Sequence, residues 1–198
     1  MEKRISLPQK KKDASMRRVL REAKHLIEQK GYYNTTVREL CERCMISKTT
    51  FFNYFESKER IVLMIIDECA EELQTYIDET LQDCADPVES LRLAFLFLLD
   101  SLNRYNNLSG VFFQLASENP SHRDALKQFF QIVTPLVHQA QAVGAIRADI
   151  DTDCIVQLLE GLQFSAFYNA PSEERADVFA DTFAAWMLFL KGNGACKA

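Results

Sequence analysis

Apolar residues recur along the chain at intervals of three and four, which is the spacing of one buried face of an α-helix. The first stripe lies in residues 16–27 and is followed by Gly31, where a glycine in the left-handed conformation would end the helix. Residues 1–12 are polar and rich in lysine, so they predict a mobile basic arm ahead of this helix.

Two short helices joined by a tight turn are predicted next. The run TVRE, which begins at Thr36, forms a capping box: the Thr36 hydroxyl would accept the Glu39 N–H, and the Glu39 carboxylate would reach back. Residues 44–46 then form the turn, and Ser47 is a typical N-cap for a third helix over residues 48–54.

A much longer fourth helix is predicted from its cap at Ser57 to about Leu81, with Asp86-Pro87 breaking the pattern after it. Only 6 glycines and 5 prolines occur, which leaves little turn chemistry for a sheet of many strands. The sequence therefore predicts an all-α protein. Five further helices are expected at about 87–104, 108–118, 121–144, 152–169 and 172–191.

Charge divides the chain into two unequal parts. The net charge is −5, yet residues 1–60 hold 15 Lys and Arg against 8 Asp and Glu, and so carry +7, while residues 61–198 carry −12. A basic end on an acidic body is typical of a nucleic-acid-binding module on a carrier domain. We therefore predict a DNA-binding domain at 1–60, with its basic N-terminal arm, and a second helical domain at 61–198.

Several other classes of protein are disfavoured. No apolar stretch is long enough to span a membrane, and no apolar segment follows the basic opening as in a signal peptide, so we expect a cytoplasmic protein with reduced thiols. The pair Cys41 and Cys44 lacks further ligands at zinc spacing and is expected to pack within a helix. No cofactor or metal is predicted, and no nucleophile or acid–base motif points to an enzyme.

The third helix carries the chemistry that suggests DNA reading. Phe51 and Phe55 are four residues apart and would share a buried face. The remaining side chains are hydroxyls, an amide, a lysine and an aromatic ring, with no acid to repel phosphate; such groups can approach base edges and thymine methyls. They are Lys48, Thr49, Thr50, Phe52 and Asn53.

The stretch from Arg17 to Val62 resembles the DNA-binding domain of the TetR family of bacterial transcriptional repressors. The resemblance rests on Gly31, Thr35-Thr36-Val37, Ile46-Ser47-Lys48, the aromatic run at 51–55 and Ser57-Lys58. It implies a helix-turn-helix in which one group of residues anchors phosphates: Thr36, Lys48, Tyr54 and Lys58. It also implies that a second group faces the major groove: Thr49, Thr50, Phe52 and Asn53. Ser47 completes the predicted DNA-binding set.

Two residues depart from the family pattern. Met45 stands in the turn where the family usually has glycine, and a side chain in the left-handed conformation costs about 1–2 kcal/mol. Thr49 replaces another frequent glycine and adds a side chain that could touch DNA and change the site that is read.

The resemblance also implies a C-terminal domain that binds an effector and dimerises. Polar residues within apolar runs are the candidates for orienting a largely apolar or aromatic small molecule: Gln114, Gln163 and Tyr168. The strongly apolar helices at 152–169 and 172–191 are candidates for a two-fold interface, and Phe183 and Trp186 are the candidate interface residues. The predicted protein is a homodimeric, ligand-released repressor of a palindromic operator; activation stays open. The alternative is a helical protein–protein adaptor with a vestigial DNA-binding head.

Overall fold

The computed structural model describes residues 7–105, 108–171 and 173–191. These residues form helices and the loops between them, and no β-strand occurs in the described ranges, which confirms the all-α prediction. The helices are α1 (Leu7–Lys30), α2 (Val37–Arg43), α3 (Lys48–Phe55), α4 (Glu59–Tyr76), α5 (Pro87–Asn103), α6 (Leu108–Glu118), α7 (Pro120–Gln131), α8 (Thr134–Ala142), α9 (Thr152–Asn169) and α10 (Arg175–Leu190).

The first helix is longer than the sequence predicted. The expected mobile arm covered residues 1–12, but α1 already begins at Leu7, so the prediction is wrong for residues 7–12. Pro8 lies in the first turn, where its missing N–H is harmless, and the Gln and Lys residues that follow favour the helical conformation. Residues 1–6 of the predicted arm lie outside the described residues.

The long fourth helix runs from the N-terminal helices into the rest of the chain. At its start the Arg60 N–H donates to the Ser57 hydroxyl at 3.4 Å, and at its end the chain continues into a π-helical turn, Ile77–Leu81. Ion pairs fasten α4 on two sides, between Lys24 and Glu68 and, at 2.8 Å, between Arg104 and Glu72. This helix therefore contacts α1 in one direction and α5 in the other.

The single helix predicted over 121–144 is instead two helices. Pro135 occupies the second position of α8, so the prediction of an unbroken helix is wrong. Proline lacks the N–H that a helix interior needs, and its ring clashes with the carbonyl four residues earlier. The chain accordingly breaks after Gln131 and restarts at Thr134.

The hydrophobic core is continuous from the N-terminal helices to α10. Its centre in the C-terminal part is a stack of rings: Phe95 lies 6.3 Å from Phe130 and 5.9 Å from Phe179 between ring centroids. Helices α9 and α10 pack against each other beside this stack. Within the described residues, no helix has the length and apolar character needed to cross a bilayer.

Candidate nucleic-acid interface

Helix α3 is fixed by a cap at its start and by two aromatic rings underneath. The Ser47 hydroxyl accepts the Thr50 N–H at 3.0 Å and lies 2.9 Å from the Thr50 hydroxyl. Phe51 and Phe55 are fully buried with ring centroids 5.1 Å apart, as the sequence predicted. The orientation of α3 is therefore set by its packing, which leaves its other face free to present side chains.

That other face carries the predicted base-reading residues. Thr49, Phe52 and Asn53 are exposed and follow the i, i+3, i+4 spacing of a single helix face. Phe52 is 46% exposed although its ring meets the edge of Phe51 at 5.4 Å. Lys48 is exposed at the start of the helix, and no acidic side chain lies between it and Phe55.

The remaining members of the predicted set lie at the margins of this face. Thr50 and Tyr54 are half-buried, and the Thr50 hydroxyl is already in contact with Ser47. Thr36 is exposed at the N-cap of α2, where its hydroxyl accepts the Glu39 N–H at 3.2 Å. The Glu39 carboxylate pairs with the Lys30 ammonium at the end of α1, so the reciprocal half of the predicted capping box is replaced by a link between two helices.

The turn before α3 contains the strained residue that the sequence predicted. Met45 has φ +49° and is 83% exposed. Its neighbour is held in place by α1, because an Nη of Arg18 donates to the Cys44 carbonyl oxygen at 2.5 Å. Glu56, just after α3, also has a positive φ, of 59°. The helix is thus flanked at both ends by non-glycine residues in a costly conformation.

Lys58 occupies a different environment from Lys48. Its ammonium donates to the Tyr32 carbonyl oxygen at 2.7 Å and lies 3.8 Å above the centroid of the Tyr32 ring. Burial lowers the pKa of Lys58, and the Tyr32 hydroxyl in turn donates to Glu59 at 3.3 Å. Lys58 therefore fastens the loop between α1 and α2 to the start of α4, and it could reach a phosphate only by leaving this carbonyl.

The cysteine pair at the turn between α2 and α3 is part of the packing. Cys41 and Cys44 are buried and free of disulfides, and burial raises the pKa of both thiols, which makes them poor nucleophiles and poor metal ligands. In the part of the chain that the structure describes, no three His, Cys, Asp or Glu residues are grouped as a metal site would require.

The three predicted effector residues are not brought together. Gln114 and Tyr168 are exposed and line a cleft of about 500 Å³ against the α1–α2 loop, where Gln114 Oε1 accepts the Tyr33 hydroxyl at 2.5 Å. Gln163 is instead fully buried within the C-terminal helices. The apolar periodicity of α6 and α9 could not show that their polar members point in different directions.

The two residues chosen for the dimer interface also differ in placement. Phe183 is 2% exposed and belongs to the core of the single chain, while Trp186 is half-buried with its ring 5.7 Å from Phe189. Among the described residues of these two helices, other large apolar side chains are exposed. They are Phe164, Tyr168, Leu188 and Phe189.

The N-terminal helices match a known family. Residues 19–65 correspond to the family described as bacterial regulatory proteins, tetR family. The HTH-type transcriptional repressor DhaR of Mycobacterium sp. (strain GP1) is 28% identical over 148 residues, which are 68% of this chain and 75% of DhaR. Residues 19–65 therefore carry a DNA-binding domain of the TetR family type. As in this family, α2, the turn and α3 form a helix-turn-helix, and the protein is a DNA-binding transcriptional regulator.

Other transcriptional regulators resemble the chain over most of its length. The HTH-type transcriptional regulator UidR of Escherichia coli (strain K12) is 24% identical over 169 residues, 80% of this chain and 83% of UidR. The crystal structure of Thermus thermophilus FadR, a repressor of the family in complex with lauroyl-CoA, superposes with a TM-score of 0.73 at 22% identity. The match covers 92% of this chain and 98% of that one. The fold of the C-terminal helices is therefore that of the family as well.

Proposed function

We propose that this TetR-family regulator is a ligand-released repressor that binds a palindromic operator as a homodimer. Residues 1–60 would contact DNA, and residues 61–198 would bind the effector and dimerise in the cytoplasm. The observation that carries the DNA half is the exposed, acid-free face of α3, which presents Thr49, Phe52 and Asn53 together.

The roles of the α3 side chains follow from their chemistry. The Asn53 amide can pair with adenine N6 and N7, and Phe52 and Thr49 can contact thymine methyls in the major groove. Thr50 borders this group, with its hydroxyl shared with Ser47. Backbone phosphates would be bound around it by exposed Lys48, Thr36 and Ser47 and by half-buried Tyr54. Lys58 joins them only if it exchanges the Tyr32 carbonyl for a phosphate.

Dimerisation is supported by exposed apolar surface on α9 and α10. Leu188 is 78% exposed and Phe189 62%, and Tyr168 and Phe164 are exposed on the neighbouring helix. A two-fold axis beside these helices would bury the same patch of each protomer in a four-helix interface. Two recognition helices related by this axis would enter successive major grooves, about 34–36 Å apart.

Release by a ligand requires two dimer states with different affinities for DNA. An effector that favours the state with mismatched recognition helices needs a coupling free energy of about 1–3 kcal/mol. The C-terminal helices are rich in Phe and Leu, which suits a largely apolar or aromatic effector. The similar FadR is in complex with lauroyl-CoA, whose lauroyl chain is an apolar group of this kind.

The DNA half is tested by selecting an operator from a random duplex library and measuring fluorescence anisotropy at several salt concentrations. Asn53→Ala should reduce the preference for the operator over random DNA by about tenfold, because one bidentate base contact is worth about 1–3 kcal/mol. Lys48→Ala should weaken both DNAs alike and reduce the slope of log K against log [salt] by about 0.9.

Lys191→Ala removes an exposed lysine far along the chain, after α10, and serves as the matched control. It should leave both affinities and the salt slope unchanged. Equal losses on operator and random DNA for Asn53→Ala would rule out a base-reading role for this residue, and failure to select any operator would reject the proposed function.

A further inference from the structure

The cleft between α6, α7 and α9 is lined by aromatic rings and by basic side chains. It encloses about 490 Å³, which is within the size range of small-molecule sites. Phe113 of α6 meets Phe164 of α9 edge to face at 4.7 Å between ring centroids, and Leu126 of α7 adds to the apolar lining. This part of the cleft can therefore hold the flat body of an aromatic molecule.

Gly161 keeps the α9 wall of this cleft open. It lies at an exposed position within α9, where glycine is less favourable for the helix than alanine. A Cβ at this position would meet no neighbouring atom within 4 Å, so the packing of the chain does not require a glycine. A side chain would instead occupy the cleft, and its absence leaves room for a ligand beside Phe164.

Two basic side chains of α7 line the opposite wall. Arg123 and Lys127 are exposed and lie one helical turn apart, a spacing at which like charges repel each other. With the described residues, neither side chain forms a hydrogen bond or an ion pair within 4 Å. An anion bound between them would relieve this repulsion.

The other arginines of residues 61–198 are each bound by a side chain of the same chain. The four pairs are Arg92 with Glu89, Arg104 with Glu72, Arg147 with Asp149 and Arg175 with Asn103. The cleft itself is lined by one acid, half-buried Glu160; burial raises the pKa of this carboxyl, and the nearby Lys127 opposes the shift. Two cations against one acid make the cleft positive in a part of the chain that carries −12.

We infer that the effector is an aromatic carboxylate bound in this cleft. Its ring lies against Phe113 and Phe164 in the space that Gly161 leaves. Its carboxylate accepts hydrogen bonds from the Arg123 guanidinium, whose N–H groups form a fork that matches two carboxylate oxygens, and from the Lys127 ammonium. A cationic ligand would be repelled by both basic groups, and a neutral one would leave them without a partner.

The position of the cleft suits a ligand that changes the dimer. Phe164 belongs to the lining and also to the exposed apolar patch of α9 and α10, so the cleft borders the proposed two-fold interface. Its opposite wall is α7, which contacts α4, the helix that continues from the DNA-binding helices. This inference rests on the proposed ligand-responsive function and specifies the ligand class for it.

Three probes with the same aromatic body and different charges test the inference. Cinnamate is an anion, cinnamamide is neutral, and cinnamylamine is a cation at neutral pH. In isothermal titration calorimetry on the full chain at low salt, cinnamate should bind about tenfold more tightly than cinnamamide, and cinnamylamine should bind more weakly still. Salt at about 1 M should reduce the advantage of cinnamate, because Arg123 and Lys127 are exposed to screening.

Variants separate the two parts of the site. Arg123→Gln and Lys127→Gln should each weaken cinnamate about threefold, the effect of one exposed ion pair, and leave cinnamamide unchanged. Lys191→Gln makes the same substitution at an exposed position outside the cleft and should change neither affinity. Gly161→Leu should prevent the binding of both probes by filling the cleft, without lowering the melting temperature, because leucine favours a helix more than glycine does.

Equal affinities of cinnamate and cinnamamide for the unmodified chain, or no binding of cinnamate, would overturn the inference. So would a Gly161→Leu protein that binds cinnamate as before. Cinnamate that binds without weakening the affinity for the operator would overturn the assignment of this cleft to the effector. Selection of the operator needs no ligand, so each of these results can go against the inference while the operator-binding regulator stands.

Discussion

The Tyr33 hydroxyl donates a 2.5 Å hydrogen bond to Oε1 of Gln114, joining the loop before the helix-turn-helix to α6 across 81 residues of sequence. Nε2 of Gln114 in turn donates to Glu118 at 3.0 Å, which fixes the orientation of the amide. Gln114 therefore connects the DNA-binding helices with the C-terminal helices, a role distinct from the effector contact expected of it.

This connection predicts an energetic coupling between Tyr33 and Gln114. Tyr33→Phe and Gln114→Leu should each lower the free energy of unfolding, and the double variant should lose less than the sum by about 1 kcal/mol, the net worth of one hydrogen bond. Urea denaturation measures all three. Tyr168→Phe, which removes a hydroxyl from the same cleft, should be additive with Gln114→Leu. If the effects of Tyr33→Phe and Gln114→Leu were additive, the hydrogen bond between Tyr33 and Gln114 would contribute nothing to stability in solution.

The left-handed turn predicts a stabilising substitution. Met45→Gly should relieve a conformational cost of about 1–2 kcal/mol, offset by about 0.5–1 kcal/mol of added chain entropy in the unfolded state. The melting temperature should rise by about 1–4 °C in a chain of this size. As a contrast, Glu71→Gly at an exposed position within α4 should destabilise by about 1 kcal/mol. A lower melting temperature for Met45→Gly would show that the methionine makes compensating contacts.

Glu160 predicts a pH-dependent change in stability. Burial raises its pKa above the ordinary value of 4.5, against a weaker opposing effect of Lys127. The folded carboxyl therefore holds its proton more tightly than the unfolded one, and the penalty for its charge is present above the folded pKa and vanishes below 4.5. Glu160→Gln should raise the melting temperature at pH 7.5 by about 1–2 °C, a small effect because solvent screens a half-buried group.

At pH 4 the advantage of Glu160→Gln should disappear, because both side chains are then neutral. Calorimetric scans at the two pH values measure the difference. Glu79→Gln, an exposed change in the π-helical turn, should leave the melting temperature unchanged at both. An advantage for Glu160→Gln that persists at pH 4 would assign the effect to packing rather than to charge.

The exposed apolar patch predicts which substitutions would dissociate the proposed dimer. Leu188→Glu should give a folded monomer at micromolar concentration, because it places a charge in the proposed interface without touching the core. Phe183→Ala should instead destabilise the chain itself by about 3–5 kcal/mol through a cavity. Analytical ultracentrifugation and thermal melting separate the two effects. Val143→Glu, at another exposed apolar position, should remain dimeric, and a dimeric Leu188→Glu would move the interface elsewhere.

Periodicity was a good guide where one local pattern determines the structure. The burial of Phe51 and Phe55, the outward position of Phe52 and the Ser47 cap all follow from spacing within a single short helix. The strain at Met45 was instead implied by the family resemblance, because the family usually has a glycine at this position of the turn. The break at Pro135 could have been predicted from the same local rules.

Other features depend on contacts between distant segments. Nothing in α9 alone distinguishes buried Gln163 from exposed Tyr168 five residues later, because the answer depends on which helices pack on each side. The pairing of Lys58 with the Tyr32 carbonyl is likewise a tertiary contact between α4 and the loop before α2. These relationships decide which polar groups are available to DNA or to a ligand.

The continuity of α4 has a mechanical consequence. Its 18 residues make a rod about 27 Å long that begins beside the Lys58 contact and ends at the π-helical turn. A rod of that length is a lever: a tilt of about 5° at one end displaces the other by about 2 Å. In the proposed two-fold assembly the displacements of both protomers would add, so a small shift of the C-terminal helices would be magnified into a change of spacing between the two copies of α3.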